Sequence, residues 1–213
     1  MEKLLFVDVC HTIVPHNTTV LFLEKYYIKS RALKTLRRLL FFKLINQIIF
    51  KLFRKDVIRL LYINSLKNEK VSSVTLNAED FAKSIEYNVK VIKIIEKYKA
   101  EGYKVILLSA SIEPVVSAIC RHLSYDESLS SELNVRNDKY NSGVCIDLLD
   151  AKNEIVKNRS KGKKHTIMIS DNFGDSNCIP YLDEYIPVVI DDKSKLFWDK
   201  FKLNKNIDLR KQR

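Results

Sequence analysis

The sequence contains, at residues 4–13, the stretch Leu4-Leu5-Phe6-Val7-Asp8-Val9-Cys10-His11-Thr12-Ile13. Its continuous apolar run is typical of a strand that is buried on both faces, as in parallel sheets. Asp8 stands where that strand should end. Because ligands bind at the carboxyl ends of strands in open parallel sheets, Asp8 is a candidate site residue. The alternative is that Asp8 merely caps the following turn.

Two further apolar runs are predicted to be strands of the same sheet, and each is followed by polar residues. The first run precedes Ser109 and Ser111, and the second leads into Asp171, with Asp175 one helical turn later. The carboxyl ends of parallel strands meet at one edge of a sheet, so we expect these residues to lie near Asp8.

The remaining pattern predicts an α/β fold with a Rossmann-like parallel sheet and an inserted α-helical cap. Predicted strands (103–108, 165–170 and, weakened by its proline, 186–190) alternate with predicted helices (113–122, 147–159 and 196–201). Residues 126–144 look irregular or hairpin-like. Between the first two strands the patterns are almost wholly helical. We therefore assign 1–13 and 101–213 to the α/β core and 14–100 to the cap.

Composition indicates a folded protein with a localised excess of positive charge. Hydrophobic residues make up 46% of the chain and charged residues 30%, which excludes a disordered chain. The net charge is +11, and one segment carries most of it, with Asp56 as its single acid. Its basic residues are Lys29, Arg31, Lys34, Arg37, Arg38, Lys43, Lys51, Arg54, Lys55, Arg59 and Lys67.

The cysteines and the first residues predict a cytoplasmic protein. Cys10, Cys120, Cys145 and Cys178 lack the paired spacing of a zinc site, and the residues before Asp8 lack the apolar core of a signal peptide. We therefore expect reduced thiols in the cytoplasm.

The basic segment contains a helix over 40–54 with an unusually broad apolar face. Lys43 and Lys51 interrupt it too soon for a transmembrane span, which needs roughly 20 mostly apolar residues. Three interpretations remain. The helix packs inside a small helical bundle, it lies on an anionic membrane surface, or it contacts nucleic acid. We favour the bundle, keep peripheral membrane contact through 33–59 as the second interpretation, and expect no nucleic acid because no recognised motif accompanies the charge.

The polar residues at the strand ends suit chemistry on a phosphate ester. Mg²⁺ takes carboxylate and carbonyl oxygens beside substrate phosphate. One carboxylate can attack phosphorus while a lysine and the metal neutralise the phosphoryl oxygens. Lys152 is the candidate lysine, although a solvated helix lysine is the simpler interpretation. Ser109 and Ser111 can also be helix caps, which is compatible with anion binding.

Four ordered motifs resemble the haloacid dehalogenase superfamily of aspartate-nucleophile phosphohydrolases. The first, Asp-x-Asp-x-Thr after an apolar strand, matches residues 8–12 except at Cys10. The second, an apolar strand ending in Ser or Thr, matches 105–109, and the Ser-Ala-Ser continuation looks like the phosphoserine-phosphatase-like branch. The third, a lysine after a glycine-containing stretch, is best matched by Lys152. The fourth, an apolar strand ending in two acids, matches 167–171 and Asp175.

The resemblance implies a role for each matching residue. Asp8 would be the nucleophile that becomes an aspartyl phosphate, and Ser109, Ala110 and Lys152 would bind the phosphoryl group. Mg²⁺ would be held by a set of four residues, in which Asp175 ligates or supports: Asp8, the backbone carbonyl of Cys10, Asp171 and Asp175. The cap would close over the site and select the substrate, a small phosphorylated metabolite or a lipid-linked phosphate.

Cys10 is the departure from the family pattern. The family's phosphatases have an acid there that protonates the leaving group and then activates water. A thiol with an ordinary pKa of about 8.5 is mostly protonated at neutral pH, so it can donate a proton but is a poor base. Three outcomes follow: a slow phosphatase, a phosphotransferase, or a catalytically impaired phosphate-binding or scaffolding protein that keeps the fold.

Overall fold

The computed structural model describes residues 2–53 and 56–210. Its strands are β1 (Lys3–Val7), β2 (Tyr103–Ile112), β3 (Glu127–Arg136), β4 (Lys139–Ile146), β5 (His165–Ser170), β6 (Glu184–Val189) and β7 (Ile207–Asp208). Its α-helices are α1 (Thr18–Tyr26), α2 (Arg31–Arg38), α3 (Leu40–Phe53), α4 (Val57–Ile63), α5 (Val71–Ser84), α6 (Val89–Ala100), α7 (Glu113–His122), α8 (Lys152–Ser160) and α9 (Asp192–Trp198). Short 3-10 helices cover Asn64–Leu66, Phe173–Tyr181 and Asp199–Phe201.

The strands form one sheet with β1 at its centre. The order is β4-β3-β2-β1-β5-β6-β7, and every neighbouring pair is parallel except β3 and β4. From β1 the chain moves outward through β2 and β3, and then returns to continue outward on the other side from β5. The strand order therefore reverses at β1, which is where open α/β sheets bind ligands. The predicted α/β fold is confirmed.

The first strand is buried on both faces, as its continuous apolar run predicts. Leu5 and Val7 belong to the hydrophobic cluster on one face of the sheet, and Leu4 and Phe6 belong to the cluster on the other. None of the four is more than 2% exposed. Full burial of such a side chain stabilises the fold by about 1.5–3 kcal/mol. Because β1 is buried on both faces, Asp8 is held at the carboxyl end of the central strand.

Several elements begin or end at residues other than those predicted. β2 continues past Ser109 to Ile112, where it pairs with Ser131 of β3 after an irregularity. Residues 126–144 do form a hairpin, β3–β4, which joins the main sheet. The last helix begins earlier than predicted because Asp191 and Ser194 form a capping box.

The helices between β1 and β2 differ in what they pack against. α6 lies on β2, and α5 contacts α7. α2 and α4 contact α3. The division of the chain at 14 and 100 therefore remains a prediction, and within that segment helices α1–α4 contribute residues to the cavity described below.

Helix α3 does not pack inside a bundle, so the interpretation that we favoured is wrong. Leu40, Leu44, Ile48 and Leu52 are 58–76% exposed. Periodicity identifies residues that share a face, but it does not show whether another element covers that face. Arg54 and Lys55, which belong to the predicted basic segment, lie outside the described residues. No helix in the described ranges is both long and apolar enough to cross a membrane.

Candidate active site

Asp8 lies directly after β1 and pairs with a buried lysine. Its backbone N–H donates to the carbonyl of Ile169 in β5 at 3.0 Å, and its Oδ1 accepts from Val9 N at 2.8 Å. Nζ of Lys152, the first residue of α8, lies 2.9 Å from Asp8 Oδ1 and 2.8 Å from Asp175 Oδ2. Two carboxylates from separate elements therefore share one ammonium.

Lys152 is buried rather than solvated, with 5% of its surface exposed. Burial by itself would lower the pKa of Lys152, but the charges of Asp8 and Asp175 outweigh it and raise that pKa. The side chain is therefore a fixed cation at neutral pH. The simpler interpretation of Lys152 as a solvated helix lysine is wrong.

Asp175 contacts Lys152 and the last residue of β5. Ser170 Oγ donates to Asp175 Oδ2 at 2.6 Å, and the same oxygen accepts from Lys152. Burial raises the pKa of Asp175, while Lys152 opposes that shift. Ser170 was not predicted as a site residue, because a serine at a strand end gives no signal beyond its polarity.

Asp171 is held by the threonine that ends the first motif. Thr12 Oγ1 donates to Asp171 Oδ1 at 3.0 Å and accepts from the backbone N–H of Asp171 at 3.0 Å. Burial and the charge of Asp8 raise the pKa of Asp171 to about 7. The structure therefore places two mutually repelling carboxylates at the ends of neighbouring strands.

The Cys10 thiol is engaged by hydroxyl groups. Its Sγ lies 3.0 Å from Ser111 Oγ and 3.3 Å from Thr18 Oγ1, and it accepts from Thr18 N at 3.4 Å. Burial, and then the charge of Asp8, raise the pKa of Cys10. The thiol is consequently neutral at physiological pH. The next residue, His11, has φ of 56°, which is uncommon for a residue with a side chain and marks a tight loop.

The end of β2 presents Ser109 and Ala110 to the same region. Ser109 is 1% exposed, and its Oγ accepts from the backbone N–H of Ser111 at 3.3 Å. The carbonyl of Ala110 accepts from Arg59 Nη2 of α4 at 2.8 Å and from Ser131 Oγ at 3.0 Å. A helix from the segment between β1 and β2 therefore touches the predicted phosphate site directly.

Arg59 also forms an ion pair with Asp147, in the loop that follows β4. Its Nη1 lies 3.0 and 2.8 Å from the two carboxylate oxygens. We did not predict a role for Arg59, because in the sequence it is one of eleven similar cations in one segment. Only the fold distinguishes it.

A cavity of about 700 Å³ lies over these residues. Of the predicted site residues, Asp8, Cys10, Ser109, Ala110, Lys152 and Asp171 line it. Asp175 instead lines a second cavity, which Lys152 also borders. Helices α2–α4 contribute Arg37, Asn46, Gln47, Ile58, Arg59 and Tyr62 to the first cavity.

The carboxylates at this site fit a magnesium ion better than a metal whose ligands are all protein side chains. Within 2–53 and 56–210 no group of three His, Cys, Asp or Glu side chains is arranged as a metal cluster. Mg²⁺, however, usually binds through one or two carboxylates and keeps several waters. Asp8 and Asp171 provide two carboxylates, and burial together with the charge of Asp8 raises the pKa of Asp171, a shift that a bound cation would oppose.

The match to a known family covers most of the chain. The model of the haloacid dehalogenase-like hydrolases matches residues 5–176. The chain belongs to this haloacid dehalogenase-like family. The matched range includes every residue of the four predicted motifs, so the predicted resemblance is confirmed. Comparison with curated proteins gives no match.

Solved structures show that this haloacid dehalogenase-like protein shares its fold with phosphoserine phosphatases. A substrate-bound phosphoserine phosphatase complex is 19% identical, with a TM-score of 0.68 and coverage of 99% of this chain and 96% of that one. A protein of unknown function from Bordetella pertussis Tohama I is 14% identical, with a TM-score of 0.78 and coverage of 98% and 99%. A phosphoserine phosphohydrolase-like protein from Francisella tularensis is 15% identical, with a TM-score of 0.67 and coverage of 96% and 94%.

Proposed function

We propose that this protein is a Mg²⁺-dependent phosphomonoester hydrolase or phosphotransferase that uses Asp8 as its nucleophile. The observation that carries the proposal is the ion network of Asp8, Lys152 and Asp175, in which Asp8 and Lys152 line the cavity. Surface ion pairs are common, but a buried lysine held by two buried carboxylates is costly to assemble. Such a network is typical of functional sites.

In the proposed reaction the Asp8 carboxylate attacks phosphorus, and the bond from phosphorus to the ester oxygen breaks. Lys152 and Ser109 bind the phosphoryl oxygens and stabilise their charge. The departing alkoxide takes a proton from the Cys10 thiol or from water. Water or another hydroxyl then attacks the phosphorus of the aspartyl phosphate, and the bond from phosphorus to Asp8 breaks, which restores the carboxylate. The proton of the attacking group returns to the Cys10 thiolate or to the hydroxide left by the first step.

The metal and the remaining acids complete the site. Mg²⁺ bound by Asp8, the backbone carbonyl of Cys10 and Asp171 would supply further charge neutralisation at the phosphoryl group. Thr12 holds Asp171 in place by two hydrogen bonds. We assign Asp175 the supporting role, because its Oδ2 already accepts from Lys152 and Ser170. Asp175 then fixes the lysine against the nucleophile.

The test is phosphate release from a panel of phosphorylated metabolites, with and without Mg²⁺. The Asp8→Asn variant should lose release, because an amide oxygen is a poor nucleophile. Asp199→Asn is the matched control, since Asp199 is exposed and does not line the cavity. Release that is the same in Asp8→Asn and in the control would remove Asp8 from the reaction.

A second candidate function is a catalytically silent phosphate-binding or scaffolding protein. The favouring observation is that Cys10 is neutral and hydrogen-bonded to Ser111 and Thr18, so it does not provide the base that hydrolysis of an aspartyl phosphate needs. Incubation with a radiolabelled phosphoryl donor or with beryllium fluoride separates the two candidates. Covalent or trapped label at Asp8 supports the enzyme, and phosphate binding without label supports the silent protein.

A further inference from the structure

Exposed apolar side chains are concentrated in and around α3. Among the described residues, eleven of the seventeen large hydrophobic side chains that are exposed lie between positions 39 and 61. Single exposed apolar residues are ordinary, but a contiguous group of them marks an interaction surface. We call the following six residues the α3 apolar surface: Leu40, Phe41, Leu44, Ile48, Leu52 and Phe53, which are 58–76% exposed.

The α3 apolar surface belongs to the basic segment of the chain. Lys29, Arg31, Lys51 and Lys67 are exposed in the structure. The single acid of this segment, Asp56, is partly buried and is occupied as the N-cap of α4, where its Oδ1 accepts from Asn46 Nδ2 at 3.0 Å and from Arg59 N at 2.9 Å. The segment therefore combines exposed apolar side chains with exposed positive charge.

Other side chains of the same helix line the active-site cavity. Asn46 and Gln47 of α3 border it, together with Arg59 and Tyr62 of α4. Asn46 Oδ1 also accepts from Ile58 N at 3.1 Å, which fixes α3 to the start of α4. One short helix thus joins the exposed apolar surface to the cavity over Asp8.

We propose that the α3 apolar surface docks on an anionic lipid bilayer and that the cavity takes the phosphate ester headgroup of a lipid in that bilayer. The substrate part of this proposal rests on the proposed function. α3 has 14 residues and is therefore about 21 Å long, shorter than the roughly 30 Å hydrocarbon core, so the helix lies along the membrane interface. Phe, Leu and Ile enter the interface while Lys and Arg meet the lipid charges.

The charge pattern favours a bilayer over the other occupants. A second copy docked through the same surface would bring two basic helices together across a two-fold axis. Nucleic acid would satisfy the charge but would leave the leucine and phenylalanine side chains in water. An anionic bilayer satisfies both the charge and the apolar surface.

The first test is flotation of the full chain with vesicles of phosphatidylcholine, with or without added phosphatidylglycerol. Binding should require phosphatidylglycerol and should fall at about 1 M salt, where charges are screened beyond about 3 Å. The double variant Leu44→Gln/Ile48→Gln should lower partitioning by on the order of tenfold or more, since each removes an apolar contact and keeps a helix-forming residue. Lys51→Glu should lower it by on the order of tenfold.

Matched controls separate docking from general loss of apolar surface or charge. Leu76→Gln and Leu196→Gln remove exposed leucines from α5 and α9, where Leu76 is 67% and Leu196 is 69% exposed. Lys97→Glu reverses an exposed charge on α6. All three should float like the unchanged protein. Absence of flotation at low salt, or equal losses in test and control variants, would overturn docking. Self-association that is lost in Leu44→Gln/Ile48→Gln, without flotation, would assign the surface to a second copy.

A second test addresses the substrate part separately. Phosphate release is compared for phosphatidic acid in phosphatidylglycerol vesicles and for glycerol 3-phosphate in solution. We expect Leu44→Gln/Ile48→Gln to reduce release from vesicles by on the order of tenfold more than release from the soluble ester. Equal effects on both would overturn the lipid substrate. Asp8→Asn should still float, because docking does not use the nucleophile. Flotation of the unchanged protein with no phosphate release from any ester and no label at Asp8 would refute the proposed function and leave docking intact.

Discussion

At the scale of single residues, the identity of residue 10 controls the chemistry that this site can support. Cys10 is neutral, and its Sγ lies 3.0 Å from Ser111 Oγ. Replacing it with Asp supplies a carboxylate that can act first as acid and then as base. We expect Cys10→Asp to raise hydrolysis of a phosphate ester, up to the roughly 10²–10⁴-fold typical of a positioned acid–base group.

The measurement is steady-state phosphate release from one ester with a good leaving group and one with a poor leaving group. An ester with a good leaving group needs little proton donation, so the gain in its hydrolysis reports breakdown of the aspartyl phosphate. The ester with a poor leaving group should gain both from protonation of that group and from activation of water. Cys145→Asp, at an exposed cysteine, is the control. A folded, Mg²⁺-binding Cys10→Asp variant with no gain in either hydrolysis or transfer would favour the silent protein.

Lys152 provides a second prediction at this scale, on stability. Lys152→Met would leave Asp8 and Asp175 buried without their common cation, which should reduce the free energy of unfolding by about 3–5 kcal/mol. Urea denaturation measures the change. Lys157→Met on the same helix removes an exposed lysine and should change stability by less than about 0.5 kcal/mol. Equal effects would show that the buried ion network contributes no stability of its own.

At the scale of elements, the guanidinium group of Arg59 joins α4 to β2, β3 and the loop after β4. Arg59 binds Asp147, Ser131 and the carbonyl of Ala110. Lysine cannot make these bonds together, so we expect Arg59→Lys to reduce the free energy of unfolding by about 1–3 kcal/mol. It should also increase amide hydrogen exchange in α4.

The control for Arg59 is Arg121→Lys, which alters an exposed pair with Glu79. Exposed pairs contribute about 0–1 kcal/mol, so exchange in α4 should be unchanged there. If Arg59→Lys and Arg121→Lys have the same exchange and stability, α4 is held by its apolar contacts instead.

The elements also show which features a sequence can predict. The strands β1, β2 and β5 and the polar residues near their carboxyl ends were predictable, because double burial demands continuous apolar runs and strand ends bring polar residues together. The exposure of α3 and the contacts of Arg59 were not, because both depend on which surfaces the chain brings into contact. The support that Thr12 gives to Asp171 was not predictable for the same reason, since the two residues are 159 positions apart.

At the scale of the whole molecule, charge opposes self-association of the α3 apolar surface. The net charge is +11 and the isoelectric point is about 9.4. Repulsion between molecules should therefore be strongest near neutral pH at low salt, and solubility should fall as pH approaches 9.4 or as salt screens the charges. Light scattering across pH measures this. Leu44→Gln/Ile48→Gln should remain dispersed at pH 9.4, and Leu76→Gln should not.

The central position of β1 also determines how long this strand stays unpaired while the chain is being synthesised. Lys3 pairs with Tyr103 and with His165, so the second partner of β1 is made about 160 residues after it. At roughly 5–20 residues per second, β1 waits on the order of 10–30 s before its second edge is paired. The most apolar strand of the sheet therefore spends that interval as an unprotected edge, and nascent chains halted before residue 165 should be the form that chaperones bind most strongly.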